Sequence, residues 1–98
     1  MENKLKPGRP AGSKTFEPDI AYAFGVAVRE FRTERGISQE ELGHSAQIER
    51  SHMGKIERGL HVPNLALIMK LARALSVPPG SLVDRAALKL ANADQAAG

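Results

Sequence analysis

The segment "ISQEEL", residues 37–42, constrains the fold more than any other part of this sequence. Ser38 and Glu41 have the spacing of a capping box, in which the serine hydroxyl accepts from the Glu41 amide and the Glu41 carboxylate accepts from the Ser38 amide. Ile37 and Leu42 occupy the two positions of a hydrophobic staple across the same helix start. A helix is therefore predicted to begin at Ser38.

The segment that follows predicts a second short helix close behind the first. The capped helix has room to run only to about Ser45, and the next helix ends at Arg58, where Gly59 stops it. Two short helices that are joined by about three residues have to cross at a steep angle. The pattern therefore predicts a helix-turn-helix unit with its second helix at about residues 49–58.

Helical spacing of apolar residues predicts three further helices. The first begins with Asp19 as its N-cap and ends at Gly36. Asn64 caps the fourth helix, and Ser81 begins the fifth, with Asp84 three residues on. Their apolar positions are Ile20, Phe24, Val28 and Phe31, then Leu65, Ile68, Leu71, Ala72 and Leu75, then Leu82, Val83, Ala86, Ala87, Leu90 and Ala91. Because no segment alternates in the way of a strand, the predicted fold is all-α, a compact five-helix domain.

Length and composition set the domain boundaries. A chain of 98 residues is long enough for one small domain. Residues 1–18 are rich in proline, glycine and lysine and are predicted to be a flexible basic arm; residues 19–92 form the domain, and residues 93–98 a frayed tail. The chain has no cysteine, no signal peptide and no apolar run of membrane-spanning length. We therefore expect a soluble cytoplasmic protein without a membrane partner.

The predicted helix at residues 49–58 has two different faces. Met53, Ile56 and Leu60 share one side, which is predicted to be core, with Glu57 at its border. The opposite side carries hydrogen-bonding and cationic residues and no carboxylate: Ser51, Gly54, Lys55 and Arg58, flanked by Arg50. A face of this composition is either solvated or turned toward an anionic partner, for which the net charge of +3 is weak support.

Two residues favour the anionic partner. Gln39 stands at the start of the preceding helix, where its amide and the free backbone N–H groups are suited to a phosphate oxygen. Gly54 costs about 1 kcal/mol relative to alanine in a helix interior. A glycine there either lets another surface approach the backbone closely or is simply tolerated, and the sequence leaves both open.

The segment "VREFRTERGISQEELGHSAQIERSHMGKIERGLHVPNLALIMKLARAL" resembles the Cro/cI-type (Xre-like) helix-turn-helix DNA-binding family. The resemblance extends over about Phe24–Val77 and rests on several spaced elements, among them "GISQEEL", "IERG" and "LARAL". Within that family, "QIERSHMGKIERG" is similar to the small controller proteins of restriction-modification systems.

The resemblance implies a role for each matching residue. Gln39 would hold a phosphate, Arg50, Ser51 and Lys55 would face base edges or nearby phosphates in the major groove, His52 would contact the backbone or a peripheral base, and Arg58 and Asn64 would touch the sugar-phosphate strand. It also implies an ion pair between Arg32 and Glu57. Two positions depart from the family pattern: Gln47 has to adopt a left-handed conformation in the turn, and Gly43 supplies the small residue where two helices cross.

These observations predict a sequence-specific transcriptional regulator that binds double-stranded DNA. Because one helix reads only a few base pairs, we expect a homodimer on an inverted-repeat operator. The apolar surplus of the fifth helix points to Leu82, Val83 and Leu90 as the dimer interface. In the arm, "KPGRPAGSK" resembles an AT-hook, so Lys6, Arg9 and Lys14 are candidates for minor-groove contacts.

Other functions have less support in the sequence. No nucleophile motif or glycine-rich phosphate loop is present, so we do not expect an enzyme. His44, His52 and His61 are spaced by eight and nine residues, which does not place them on one helix face for a metal. The alternative function is an antitoxin-like or other protein-interaction module that uses the helix-turn-helix mainly for assembly. No cofactor or small-molecule ligand is expected.

Overall fold

The computed structural model describes the backbone of residues 17–97 and the side chains of residues 17–93. Within that range the chain forms five helices and no strand, which confirms the predicted all-α fold. The helices are α1 (Pro18–Glu34), α2 (Gln39–Ala46), α3 (Arg50–Glu57), α4 (Leu65–Leu75) and α5 (Pro79–Ala97). The predicted basic arm lies outside the described residues apart from its last two positions.

All five helices contribute to a single core. Its buried apolar members are Phe24, Val28 and Phe31 of α1, Leu42 and Ala46 of α2, Ile48 of the turn, Met53 and Ile56 of α3, Leu67, Leu71, Ala72 and Leu75 of α4, and Leu82 of α5. None of the described helices is by itself long and apolar enough to cross a membrane; α4 and α5 reach that length only together, across a bend of 107°.

The helix-turn-helix unit is built as predicted. The Glu41 amide donates to the Ser38 hydroxyl at 3.0 Å, and the Ser38 amide donates to Glu41 Oε1 at 2.7 Å, so both halves of the capping box are present. Gln47 ends α2 in the left-handed conformation, with φ 58° and ψ 45°. A Cβ at Gly43 would lie 2.9 Å from both the Ile48 carbonyl oxygen and Met53 Cγ, so the crossing of α2 and the turn requires glycine there.

The predicted starts of two helices are wrong. α1 begins at Pro18 and has Glu17 at its N-cap, whereas Asp19 lies within the first turn, where a carboxylate is favoured by the helix dipole. α5 begins at Pro79, because proline is well suited to the first helical position. The Ser81 amide donates to the Pro78 carbonyl at 2.9 Å, so Ser81 is inside the helix and does not cap it.

α5 also extends beyond its predicted end at residue 92. It continues to Ala97, through residues that the sequence pattern assigns to a frayed tail. The segment carries several alanines, which have the highest helix propensity.

Toward its middle, α5 is joined to α1 by surface ion pairs of Arg85 with Glu34 at 2.6 Å and of Lys89 with Glu30 at 2.6 Å. The hydrogen bond from Lys89 lowers the pKa of Glu30.

Leu60 is not part of the core, contrary to the prediction from helical periodicity. Its side chain is 58% exposed. α3 ends at Glu57, and Gly59, with φ 75°, turns the chain away from the helix axis before Leu60 is reached. The helical projection that placed Leu60 beside Met53 and Ile56 therefore no longer applies at that residue.

We predict that Gly25→Ala destabilises the fold, because α1 and α3 meet there with their backbones in contact. A Cβ at Gly25 would lie 2.4 Å from the Ile56 carbonyl oxygen and 2.9 Å from that of Glu57. Overpacking of this kind costs about 1–3 kcal/mol or more. Gly80→Ala in α5 is the matched control, since a Cβ there meets nothing within 4 Å. Urea unfolding followed by circular dichroism measures both variants, and equal midpoints would contradict the close packing of α1 on α3.

Candidate nucleic-acid interface

A buried carboxylate at the end of α3 organises the surrounding polar side chains. The Glu57 side chain is 3% exposed and receives two hydrogen bonds from Arg32 of α1, from Nε to Oε2 at 2.6 Å and from Nη2 to Oε1 at 3.0 Å. Arg32 Nη1 donates to the Ile37 carbonyl oxygen at 2.9 Å. This confirms the predicted Arg32–Glu57 pair and ties α3 to α1 and to the start of the helix-turn-helix unit.

The same carboxylate fixes the orientation of Gln39. The Gln39 Nε2 atom donates to Glu57 Oε1 at 3.1 Å. Because an ionised carboxylate only accepts hydrogen bonds, the amide must turn its NH₂ group toward Glu57 and its carbonyl oxygen away. Gln39 is therefore held at the first turn of α2, with Oε1 and one N–H of Nε2 left for another partner.

The outward face of α3 and the start of α2 form an open groove of about 590 Å³. It brings together five of the predicted site residues, Gln39, Arg50, Ser51, Lys55 and Arg58, around Gly54. Three of these five are cations. The arrangement offers several positively charged donors on one side of one helix, which suits an anionic ligand.

The groove also contains a carboxylate, contrary to the prediction. Glu49 lines it, and its Oε1 accepts a hydrogen bond from the Ser51 hydroxyl at 3.0 Å. As a helical residue, Glu49 would lie one turn before Met53 on the core side. It is instead the N-cap of α3, with an extended backbone at φ −61° and ψ 145°, and so leaves the helical projection. Sequence reasoning missed this residue because it extended the helix one position too far.

Two of the predicted site residues, His52 and Asn64, lie outside this groove. Both line a neighbouring recess of 290 Å³ between α3 and α4, which also includes His61 and Lys70. Asn64 Oδ1 accepts from the Leu67 amide at 2.8 Å and thereby caps α4, as predicted. Their separation from the groove follows from their positions, since His52 points from the side of α3 toward α4 and Asn64 begins α4.

The two histidines of the recess contact each other. The rings of His52 and His61 stand edge to face with centroids 4.7 Å apart. Burial lowers the pKa of His61, and the nearby His52 and Lys55 lower it further, so His61 is mainly neutral at pH 7. The sequence did not predict this contact, because the turn at Gly59 brings His61 back toward α3.

The residues predicted for a dimer interface differ in their exposure. Leu82 is completely buried in the core of one chain, so it is not available to a partner. It lies in the first turns of α5, where that helix packs on α1 and α4. Val83 is 49% exposed and Leu90 is half-buried, and Leu88 on the same helix is 58% exposed. The arm residues Lys6, Arg9 and Lys14 lie outside the described residues.

Comparisons with known proteins agree with this geometry. The family model of the helix-turn-helix domain matches residues 23–88. The control protein C.BamHI from Bacillus amyloliquefaciens is 36% identical over 67 residues, which are 67% of this chain and 83% of that protein. The HTH-type transcriptional regulator YgzD from Bacillus subtilis is 40% identical over 50 residues, which are 51% of this chain and 76% of that protein.

A solved structure is similar in both sequence and fold. The crystal structure of the restriction-modification controller protein C.AhdI from Aeromonas hydrophila superposes with a TM-score of 0.61 at 42% identity, covering 63% of this chain and 94% of that one. The family match covers the core, the turn and every residue of the groove. This chain therefore belongs to the Xre-like helix-turn-helix family of DNA-binding transcriptional regulators.

Proposed function

We propose that this protein is a sequence-specific regulator that inserts α3 into the major groove of double-stranded DNA. The observation that carries the proposal is the groove on the outward face of α3, in which Arg50, Lys55 and Arg58 stand beside a Gln39 that Glu57 holds in place. A major groove about 12 Å wide admits a helix together with its side chains. In the bacterial or archaeal cell such a protein works in the cytoplasm, on the nucleoid.

Different residues of the groove have different proposed tasks. Arg50 opens α3 and is exposed, so its guanidinium is free to bridge O6 and N7 of a guanine. Gln39, fixed at the N-terminus of α2, is suited to a phosphate, which carries no sequence information. Specificity therefore depends on Arg50, and general affinity depends on Gln39.

The carboxylate of Glu49 restricts which DNA groups can lie next to it in the groove. It stands at the edge of a cationic groove, where it repels a phosphate but accepts from an exocyclic amine such as N4 of cytosine. Its hydrogen bond from Ser51 holds both side chains in one arrangement. We therefore assign Glu49 and Ser51 to the base-reading part of the surface, away from the phosphates.

The first prediction from this assignment separates base reading from phosphate binding. With the preferred site selected from random duplexes, Arg50→Ala should relax the preference at one base pair per half-site, at a cost of about 1–3 kcal/mol. Gln39→Ala should weaken binding to all duplexes by a similar factor. Binding is measured by fluorescence anisotropy on the selected site and on its single-base variants, at fixed salt.

Arg73→Ala serves as the control, because it removes the same charge from an exposed position of α4 outside the groove. It should change affinity little and specificity not at all. If Arg50→Ala behaved like Arg73→Ala on every duplex, the proposed docking of α3 would be wrong.

We further propose that the regulator acts as a homodimer on an inverted repeat. A single α3 reaches only a few base pairs, so two copies are needed for useful specificity in a genome. The candidate interface is α5, which carries the exposed Val83 and Leu88 and the half-buried Leu90. Leu82 is no longer proposed as an interface residue, because it is buried in the core. Contact of the arm with the minor groove, through Lys6, Arg9 and Lys14, stays a prediction of the sequence.

The second prediction places the dimer contact on α5. Val83→Glu should give a folded monomer with reduced DNA affinity, because burying an unpaired carboxylate at an interface costs several kcal/mol. Met69→Glu is the control, since Met69 is an apolar residue of similar exposure on α4. Sedimentation equilibrium gives the mass, and circular dichroism shows whether each variant is folded. A Val83→Glu variant that remains dimeric would contradict an interface at this part of α5.

A further inference from the structure

The middle of α3 contains a glycine that is buried although it has no side chain. Gly54 lies on the outward face of the helix, at the floor of the groove. Only proline is less favourable than glycine in a helix interior. A glycine at this position therefore lowers the stability of a helix only eight residues long, unless the space that it leaves has a use.

The space above Gly54 is filled by the side chain of Arg58. A Cβ on Gly54 would lie 3.0 Å from Arg58 Nη1 and 3.9 Å from Arg58 Cζ. The two residues are four positions apart and so lie on one face of the helix. The guanidinium is folded back along α3, and any side chain at residue 54 has to displace it.

Gln39 lies on the other side of the same space. Its Oε1 is 3.8 Å from the Cβ position of Gly54. Glu57 turns this oxygen toward the groove, as the hydrogen bond from Nε2 requires. The Gln39 carbonyl oxygen and the Arg58 guanidinium therefore both lie within 4 Å of the Cβ position of Gly54. Among residues 17–93, Arg58 makes no side-chain hydrogen bond or salt bridge, so its donors are free for a ligand.

We propose that Gly54 is a positioning residue for Arg58. By leaving the floor of the groove open, it lets the guanidinium lie beside Gln39, where Arg58 and the free N–H of Gln39 donate to the same DNA phosphate. This proposal rests on the proposed function, because the ligand is the DNA backbone. Gly54 would then contribute to DNA affinity without contacting DNA.

The test is a double-variant cycle with Gly54→Leu, Arg58→Ala and the combination of the two. Binding of the selected duplex is measured over a series of salt concentrations, since each lost phosphate contact reduces the slope of log affinity against log salt by about one. We expect each single variant to lose about one unit of slope and roughly five- to tenfold in affinity at moderate salt. The double variant should lose no more than Arg58→Ala alone.

Two results would overturn the proposal while leaving the proposed function intact. Unchanged slope and affinity of Gly54→Leu would show that Arg58 does not need the open floor. Additive losses of the two single variants in the double variant would show that DNA itself approaches Gly54. A wild-type chain that binds no duplex would overturn the proposed function and this proposal together.

A smaller substitution at the same residue distinguishes an effect on Arg58 from a folding defect. Gly54→Ala requires Arg58 to move by only a few tenths of an ångström, and alanine favours the helix more than glycine does. It should raise the urea midpoint and still reduce the salt slope by part of a unit. Increased stability with an unchanged slope would contradict the positioning role, since a structural role predicts only the change in stability.

Discussion

The hydrogen bonds to the buried carboxylate of Glu57 are the interactions on which the rest of this structure depends. The carboxylate is buried at the end of α3, and its acceptors are used by Arg32 of α1 and Gln39 of α2. The hydrogen bond that Arg32 donates to Glu57 raises the pKa of Arg32. Leaving either charge buried without its partner costs about 3–5 kcal/mol, whereas the intact pair need not add stability. The pair contributes to the geometry of the site, because the one carboxylate joins α1, α2 and α3 beside the groove.

The interactions that the residues themselves predict are formed between close neighbours along the chain, whereas the long-range Arg32–Glu57 pair is implied only by the resemblance to the family. Ser38 and its capping box are recognised from a spacing of three residues, and the left-handed Gln47 from its place in the turn. The incorrect predictions for Glu49 and Leu60 share a different cause, which is helical periodicity carried past the true end of a helix. Glu49 and Leu60 each lie just beyond α3, where the backbone leaves the helix. The burial of Leu82 depends on how α5 packs on α1 and α4, which no local pattern encodes.

The candidate site combines a fixed part with a part that is free to adapt. Gln39 is fixed through Glu57, and Ser51 is joined to Glu49. Arg50 and Lys55 are exposed at the surface of α3. Sequence alone named most members of the groove, because the resemblance extends across them, but it did not reveal that Gln39 is oriented before any ligand arrives. A rigid anchor reduces the side-chain entropy that is lost on binding, while long exposed side chains select among base edges. This division suits the proposed function, in which a small domain binds one duplex more tightly than the others.

The most direct test of the central claim is an NMR titration of the full chain with a duplex that contains its selected site. Backbone amide shifts report where the DNA lies, without any substitution. We predict that the largest changes fall on residues 38–40 and 50–58, with smaller ones at 61–66 beside the histidine recess. Amides on the far side of α1 should change little. Shifts concentrated on α5, or spread evenly over the chain with none favoured on α3, would contradict the claim that α3 is the DNA-reading helix.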